Sequence, residues 1–117
     1  MSQDDINRQA FIEEANELLT ELETALLELE TDTTDKELIN RVFRALHTIK
    51  GSGAMFGFDD ISNFTHDVEN VFDLIRSDQL GVNEEILTLT LKARDHIKEL
   101  LDGEVRGTAV YHKQGEV

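Results

Sequence analysis

Apolar residues in this chain recur at alternating steps of three and four over most of its length, and no proline interrupts them. A 3.6-residue repeat places such positions on one helical face, so the pattern admits amphipathic helices and little else. In the first segment Phe11, Ala15, Leu18, Leu22, Ala25 and Leu29 form one stripe, with Glu13, Glu14, Glu17, Glu21 and Glu28 off it. The spacing predicts a helix from about Asp4 to Glu30. Thr34-Asp35-Lys36-Glu37 fits a capping box, in which hydroxyl and carboxylate satisfy free N–H groups reciprocally. It predicts a second helix with Ile39, Val42, Leu46, Ile49 and Gly53 inward, ending by Gly57. A third, from about Asp60 to Ser77, carries Ile61, Phe64, Val68, Val71 and Ile75, and Gly81 marks its exit. Asn83 is the expected N-cap of a fourth helix with Ile86, Leu89, Ala93, Ile97 and Leu100 inward, ending near Gly103. Four such helices with short connections predict an all-α, up-and-down antiparallel four-helix bundle. Residues 1–103 form the expected domain. Residues 104–117 read as a linker or as the start of a truncated fifth helix.

A length of 117 residues suits one domain with one core. Twenty-five Asp and Glu against 11 Lys and Arg give a net charge of −14. That charge repels phosphate backbones and anionic lipid, so neither nucleic acid nor a membrane surface is an expected partner. The absence of Cys removes disulfides, thiol catalysis and zinc ribbons. No apolar run approaches the ~18 residues of a membrane span. The opening Met1-Ser2-Gln3-Asp4-Asp5 lacks the basic and apolar parts of a signal peptide, and a cytoplasmic location is expected.

The local oddity is Leu46-His47-Thr48-Ile49-Lys50-Gly51-Ser52-Gly53, where two glycines sit inside a helical pattern at about 1 kcal/mol each against Ala. Gly53 falls on the core stripe, where close packing explains it. Gly51 does not. On a helical wheel Asn40, Arg44, His47 and Gly51 face outward. Gly51 therefore removes bulk beside His47, leaving the imidazole approachable, and Lys50 lies one turn on, able to lend positive charge.

In the third helix His66, Glu69, Asn70, Asp73 and Arg76 occupy the polar side. The second and third helices meet around Gly57, and His47, His66 and Glu69 lie at similar distances from that turn, hence at one level of an antiparallel pair. Their wheel offsets mirror each other, so His47 and Glu69 point either toward each other or both away. If they point together, Glu69 accepts the Nδ1–H of His47, which leaves Nε2 with a free lone pair. A carboxylate-oriented imidazole beside a Lys suits a phosphoryl acceptor, the Lys offsetting the phosphate's charge. A metal site from His47, His66 and Glu69 is a rival. It lacks the Glu-x-x-His pair of bundle metal centres.

His47-Thr48-Ile49-Lys50-Gly51, followed by Met55-Phe56-Gly57-Phe58, resembles the phospho-acceptor motif of histidine phosphotransfer (Hpt) domains, above all those at the N-terminus of CheA-type chemotaxis kinases. Phe11-Ile12-Glu13-Glu14-Ala15 through Leu26-Leu27-Glu28-Leu29-Glu30 looks like that family's first helix, and His66-Asp67-Val68-Glu69-Asn70 like its third. The resemblance covers about residues 5–101. It implies phosphorylation of His47 on Nε2, with Glu69, Lys50 and His66 in a hydrogen-bonded network around the ring, and a further helix after the fourth. It also implies a two-component route. A separate ATP-binding kinase domain, which with its partners supplies ATP and Mg²⁺, phosphorylates His47. The group then passes to an Asp of a CheY- or CheB-like response-regulator receiver. On this reading the chain binds no cofactor of its own and acts as substrate and carrier, while its parent resembles a histidine protein kinase.

The rival class is a non-catalytic helical adaptor that takes a partner helix in an apolar groove. It leaves Gly51 and the level match of His47 with Glu69 as coincidences. Gly51-x-Gly53-x-x-x-Gly57 follows a helix and does not fit the dinucleotide fingerprint. His96 and His112 read as surface residues, and Met55, Phe56 and Phe58 as core or bundle-end packing.

Overall fold

Three of the four helices begin where a side chain takes up their free N–H groups. The computed structural model describes the backbone of residues 2–115 and the side chains of residues 2–105, and in it α1 spans Gln3–Leu29, α2 Lys36–Met55, α3 Asp59–Arg76 and α4 Glu84–Gly115. Ser2 caps α1 in a reciprocal box with Asp5. The N-cap of α2 is Asp35 rather than Thr34. Its carboxylate accepts from the N–H groups of Glu37 (3.0 Å) and Leu38 (3.2 Å), while the Thr34 hydroxyl donates back to Asp32. A carboxylate outcompetes a hydroxyl here because it also meets the positive end of the helix dipole. Asn83 caps α4, accepting from Ile86 N–H at 2.8 Å.

Two helices end in left-handed residues. Gly57 (φ +83°) closes α2, with Phe58 N–H donating to the Gly53 carbonyl at 2.8 Å. Asp78 (φ 62°) closes α3, with Gln79 N–H donating to Leu74 O at 2.9 Å. The exit of α3 is therefore Asp78 and not Gly81. Asp is among the few L-residues that visit this region readily, because its short polar side chain bonds locally.

Each helix packs on two neighbours, in the cyclic order α1, α2, α3, α4. Side-chain pairs set an antiparallel register. Lys36–Asp78 and Lys50–Glu69 join α2 to α3, and Arg8–Glu104 and Lys98–Asn16 join α1 to α4. The core is built from Phe11, Leu19, Leu22, Leu26, Val42, Leu46, Ile49, Phe58, Ile61, Phe72, Ile97 and Leu101. The expected α2 face is buried throughout, and a Cβ at Gly53 would lie 3.6 Å from atoms of Phe11, Phe58 and Ser62. Among the described residues no helix is long and apolar enough to cross a membrane.

Two expected faces are rotated. In α3 the buried residues are Ile61, Ser62, Thr65, Glu69, Phe72 and Ile75, whereas Phe64 and Val68 are half-buried and Val71 is exposed. Helix α3 borders both α2 and α4, so its apolar residues spread over a wide arc. On the side toward α2, Ser62 and Glu69 find partners in Lys50 and His47, whereas the buried Thr65 hydroxyl has none among the described residues. In α4 the inward residues are Leu87, Thr90, Ile97 and Leu101, and Leu89 faces out. Thr90 is tolerated inside because its hydroxyl donates to Ile86 O at 2.7 Å.

The end of α4 also differs from expectation. The helix passes Gly103 and runs to Gly115, so residues 104–115 continue α4 rather than begin a separate fifth helix. An interior glycine costs only about 1 kcal/mol. Leu101 is buried just before it, and the Arg8–Glu104 ion pair (3.0 Å) ties the next residue to α1. Met55 is exposed, unlike Phe58, which stacks on Phe11 at the bundle end. His96 lies on the surface as expected, edge-on to Phe64. The side chain of His112 lies outside the described residues.

Candidate functional site

The outward stripe of α2 is as the wheel has it: Asn40, Arg44, His47 and Gly51 are all exposed. A Cβ on Gly51 would meet nothing within 4 Å, so the surface beside His47 is open on that side. The His47 side chain is 63% exposed, and its Nδ1 lies 2.8 Å from Oε2 of Glu69. Of the two mirror arrangements, the inward-converging one is present.

Glu69 is not on the polar side of α3. Its side chain is only 8% exposed, and Lys50 Nζ donates to its other oxygen, Oε1, at 2.8 Å. Burial pushes the Glu69 carboxyl up. The hydrogen bonds from Lys50 and His47, with the charges behind them, outweigh burial and hold it below the ordinary carboxylate value. An ionised carboxylate has no proton to give, so the proton between the two residues belongs to Nδ1 of His47. Neutral imidazole then carries its lone pair on Nε2, on the far side of the ring from Glu69. Ser62, two turns before Glu69, donates from Oγ to the Lys50 carbonyl at 2.9 Å. Lys50 is thus held to α3 at both its backbone and its ammonium.

His66 is brought to the same region but stays apart. It is exposed, and among the described residues no hydrogen bond joins it to His47, Lys50 or Glu69. No group of three His, Cys, Asp or Glu among the described residues can hold a metal ion. This geometry counts against the metal reading of His47, His66 and Glu69.

A neighbour that the helical wheel does not single out shapes the site. Phe43, one turn before His47, lies nearly parallel to the imidazole, with ring centroids 5.9 Å apart and an interplanar angle of 13°. Arg76, at the end of α3, sits over the Phe43 ring, 3.9 Å from its centroid. The i, i+4 spacing of Phe43 and His47 was the available signal.

An exposed imidazole with a fixed tautomer, a buried carboxylate anchor and an adjacent ammonium, all on the α2–α3 pair of a four-helix bundle, defines a phosphotransfer class of domain. Residues 7–105 match the Hpt domain family, and the chain belongs to it. It is similar to the chemotaxis protein CheA of Klebsiella aerogenes, 43% identical over 94 residues covering 80% of this chain and 14% of that protein. It is also similar to the CheA of Borreliella burgdorferi, 42% identical over 99 residues, 81% of this chain and 12% of that one. The chain thus spans only about one-seventh of the length of these curated relatives. Among solved structures it superposes on the CheA phosphotransferase domain from Thermotoga maritima with a TM-score of 0.83 at 34% identity, covering 90% of this chain and 99% of that one. The phosphorylated P1 domain of CheA3 in complex with CheY6 from R. sphaeroides shares the fold, with a TM-score of 0.82 at 23% identity over 89% of this chain and 81% of that one.

Proposed function

We propose that His47 accepts a phosphoryl group on Nε2 from ATP bound to a separate CheA-type kinase domain and passes it to an Asp of a response-regulator receiver. The observation that carries this reading is the 2.8 Å contact between His47 Nδ1 and the buried Glu69 carboxylate, made by a ring that is itself open to solvent. In the forward step the Nε2 lone pair forms the N–P bond as the bond from the γ-phosphorus to the ADP oxygen breaks. The ring keeps its Nδ1 proton and becomes cationic, and the ionised Glu69 stabilises that charge. In the onward step a receiver carboxylate attacks phosphorus and the N–P bond breaks. The neutral imidazole is regenerated with no proton moved. Lys50, paired with Glu69 at 2.8 Å, adds positive charge beside the site that offsets phosphoryl charge, and His66, exposed one turn before Glu69, is a further donor toward phosphoryl oxygens.

ATP and Mg²⁺ belong to the partner domains on this reading, because the chain itself offers an oriented nucleophile and a surface. The CheA relatives support the kinase-domain partner, and the CheY6 complex of a same-fold neighbour supports a CheY-like receiver, with a CheB-like one as the second candidate. Residues 1–103 carry the proposed unit, and the stretch of α4 beyond serves as its connector. The proposed location is the cytoplasm, where two-component phosphotransfer takes place. Incubating the chain with a CheA-type kinase domain, ATP and Mg²⁺ tests the proposal. Acid-labile, base-stable phosphate on this chain is the expected result, and no labelling, or acid-stable labelling, contradicts it.

A further inference from the structure

One hydrogen bond does not fix a ring. The contact between Nδ1 of His47 and Glu69 sets the in-plane direction of the imidazole but leaves it free to rock about the N···O line. His47 is exposed, so core packing does not stop that motion. A second restraint has to come from the ring's face, and Phe43 is on that face, at 5.9 Å and 13° from parallel. Helical side chains lean toward the N-terminus, so the residue four before His47 is the one its ring falls onto.

Phe43 is itself held. It is half-buried and packs on the core, and the guanidinium of Arg76 lies over its ring at 3.9 Å. Arg76 is fixed in turn by Asp73 at 3.1 Å, on the last turn of α3. The order Asp73, Arg76, Phe43, His47 runs from α3 back to α2 and reaches the imidazole from another direction than Glu69 does. We infer that Phe43, backed by Arg76, is a positioning residue for the phospho-acceptor, holding the His47 ring in the plane that aims Nε2 outward. The inference rests on the proposal that His47 is the acceptor. It adds that two restraints, one in the ring plane and one on its face, are both required for full rate.

The test compares Phe43→Leu, Phe43→Tyr and Arg76→Gln in the full chain by two readouts. The first is the set of three-bond couplings that report the His47 χ1 rotamer in NMR spectra, measured with no kinase present. The second is phosphorylation by a CheA-type kinase domain, with kcat and KM for the chain resolved. Phe43→Leu is expected to average the couplings and lower kcat about three- to tenfold, the size of one aromatic pair's contribution, with KM unchanged. Phe43→Tyr keeps the stacking face and is expected to restore both, and Arg76→Gln to fall between. Unchanged couplings and rate in Phe43→Leu overturn the inference. So does a raised KM with wild-type couplings, which makes Phe43 a partner contact. Should Phe43→Leu not fold, Arg76→Gln decides at an exposed position, and wild-type couplings and rate there overturn the inference. A failure of His47 to accept phosphate appears in the second readout alone, so it is told apart from a failure of the positioning claim.

Discussion

His47 Nδ1 and Glu69 Oε2 lie 2.8 Å apart across the α2–α3 interface, and the two partners differ sharply in exposure, 63% against 8%. The anchor is buried and the nucleophile is not. That asymmetry suits a group that is held on one side and must be reached from the other. It also separates the roles of the two side chains in the following variants.

His47→Gln should abolish phosphate uptake and leave the fold intact. The side chain is exposed and fills no core volume, and a Gln amide can still donate to the buried Glu69 carboxylate, so the loss of stability should stay at about 1 kcal/mol or below. Thermal melting by circular dichroism and radiolabelled phosphotransfer, run on the same preparation, check both halves. Normal labelling removes His47 from the mechanism, and a collapsed helical signal makes it a structural residue.

Glu69→Gln should slow phosphorylation without stopping it, because Glu69 orients the ring and does not form the bond. The variant should also lose roughly 1–3 kcal/mol of stability, since Lys50 loses a charged partner at a largely buried site. Single-turnover phosphorylation and urea titration are the measurements. A wild-type rate would mean that the carboxylate has no part in orienting His47.

The Glu69 pair gives a pH dependence of defined sign. The folded-state value of this carboxyl lies below the ordinary 4.5, so folding binds fewer protons here than the unfolded chain does. The stability it contributes is full above the ordinary value and is lost as pH falls through the depressed one. Wild type should therefore lose more stability than Glu69→Gln between roughly pH 6 and pH 2, by urea titration. Parallel curves over that window contradict the pairing.

Two glycines should respond in opposite directions. Gly51→Ala should stabilise α2 by up to about 1 kcal/mol, since its Cβ meets open space and helix propensity rises. Gly57→Ala should destabilise by about 1–2 kcal/mol, since φ is +83° and the added Cβ is strained there whatever the space. Melting temperatures decide both. In transfer assays Gly51→Leu should slow delivery to a receiver, because the side chain projects beside His47. Unaltered transfer would leave Gly51 without its access role.

The bundle was legible because its strongest signals are local. Caps, turn glycines and 3.6-residue spacing locate the starts of all four helices and the ends of the first three within a few residues, and His47, Lys50 and Gly51 lie on faces that α2 alone defines. Features shared between helices were less legible. The phase of α3 was missed because Ser62, Thr65 and Glu69 are buried polar residues, and hydropathy assigns such residues to the outside. Ser62 and Glu69 are at home inside only because Lys50 and His47 on another helix bond them. The mirror ambiguity between His47 and Glu69 had the same origin. Thr90 hid the inward face of α4 in a similar way, through a bond to its own helix. Gly103 looked like a stop because a propensity cost of about 1 kcal/mol is visible in sequence, while an ion pair from Arg8 some ninety-six residues away is not. Asp78 is hard to read as the end of α3 because Gly81, three residues later, is the stronger sequence signal for the same role.

The central claim is that His47 is the acceptor, with its proton on Nδ1 and its lone pair on Nε2. Phosphorylating the chain with a CheA-type kinase domain, ATP and Mg²⁺, with histidine nitrogens labelled as ¹⁵N, tests it in one spectrum. The account predicts that a single histidine acquires ³¹P coupling. That residue should be His47, the coupled nitrogen should be Nε2, and Nδ1 should still carry its proton. Coupling on Nδ1, or on His66, His96 or His112 in place of His47, would contradict it.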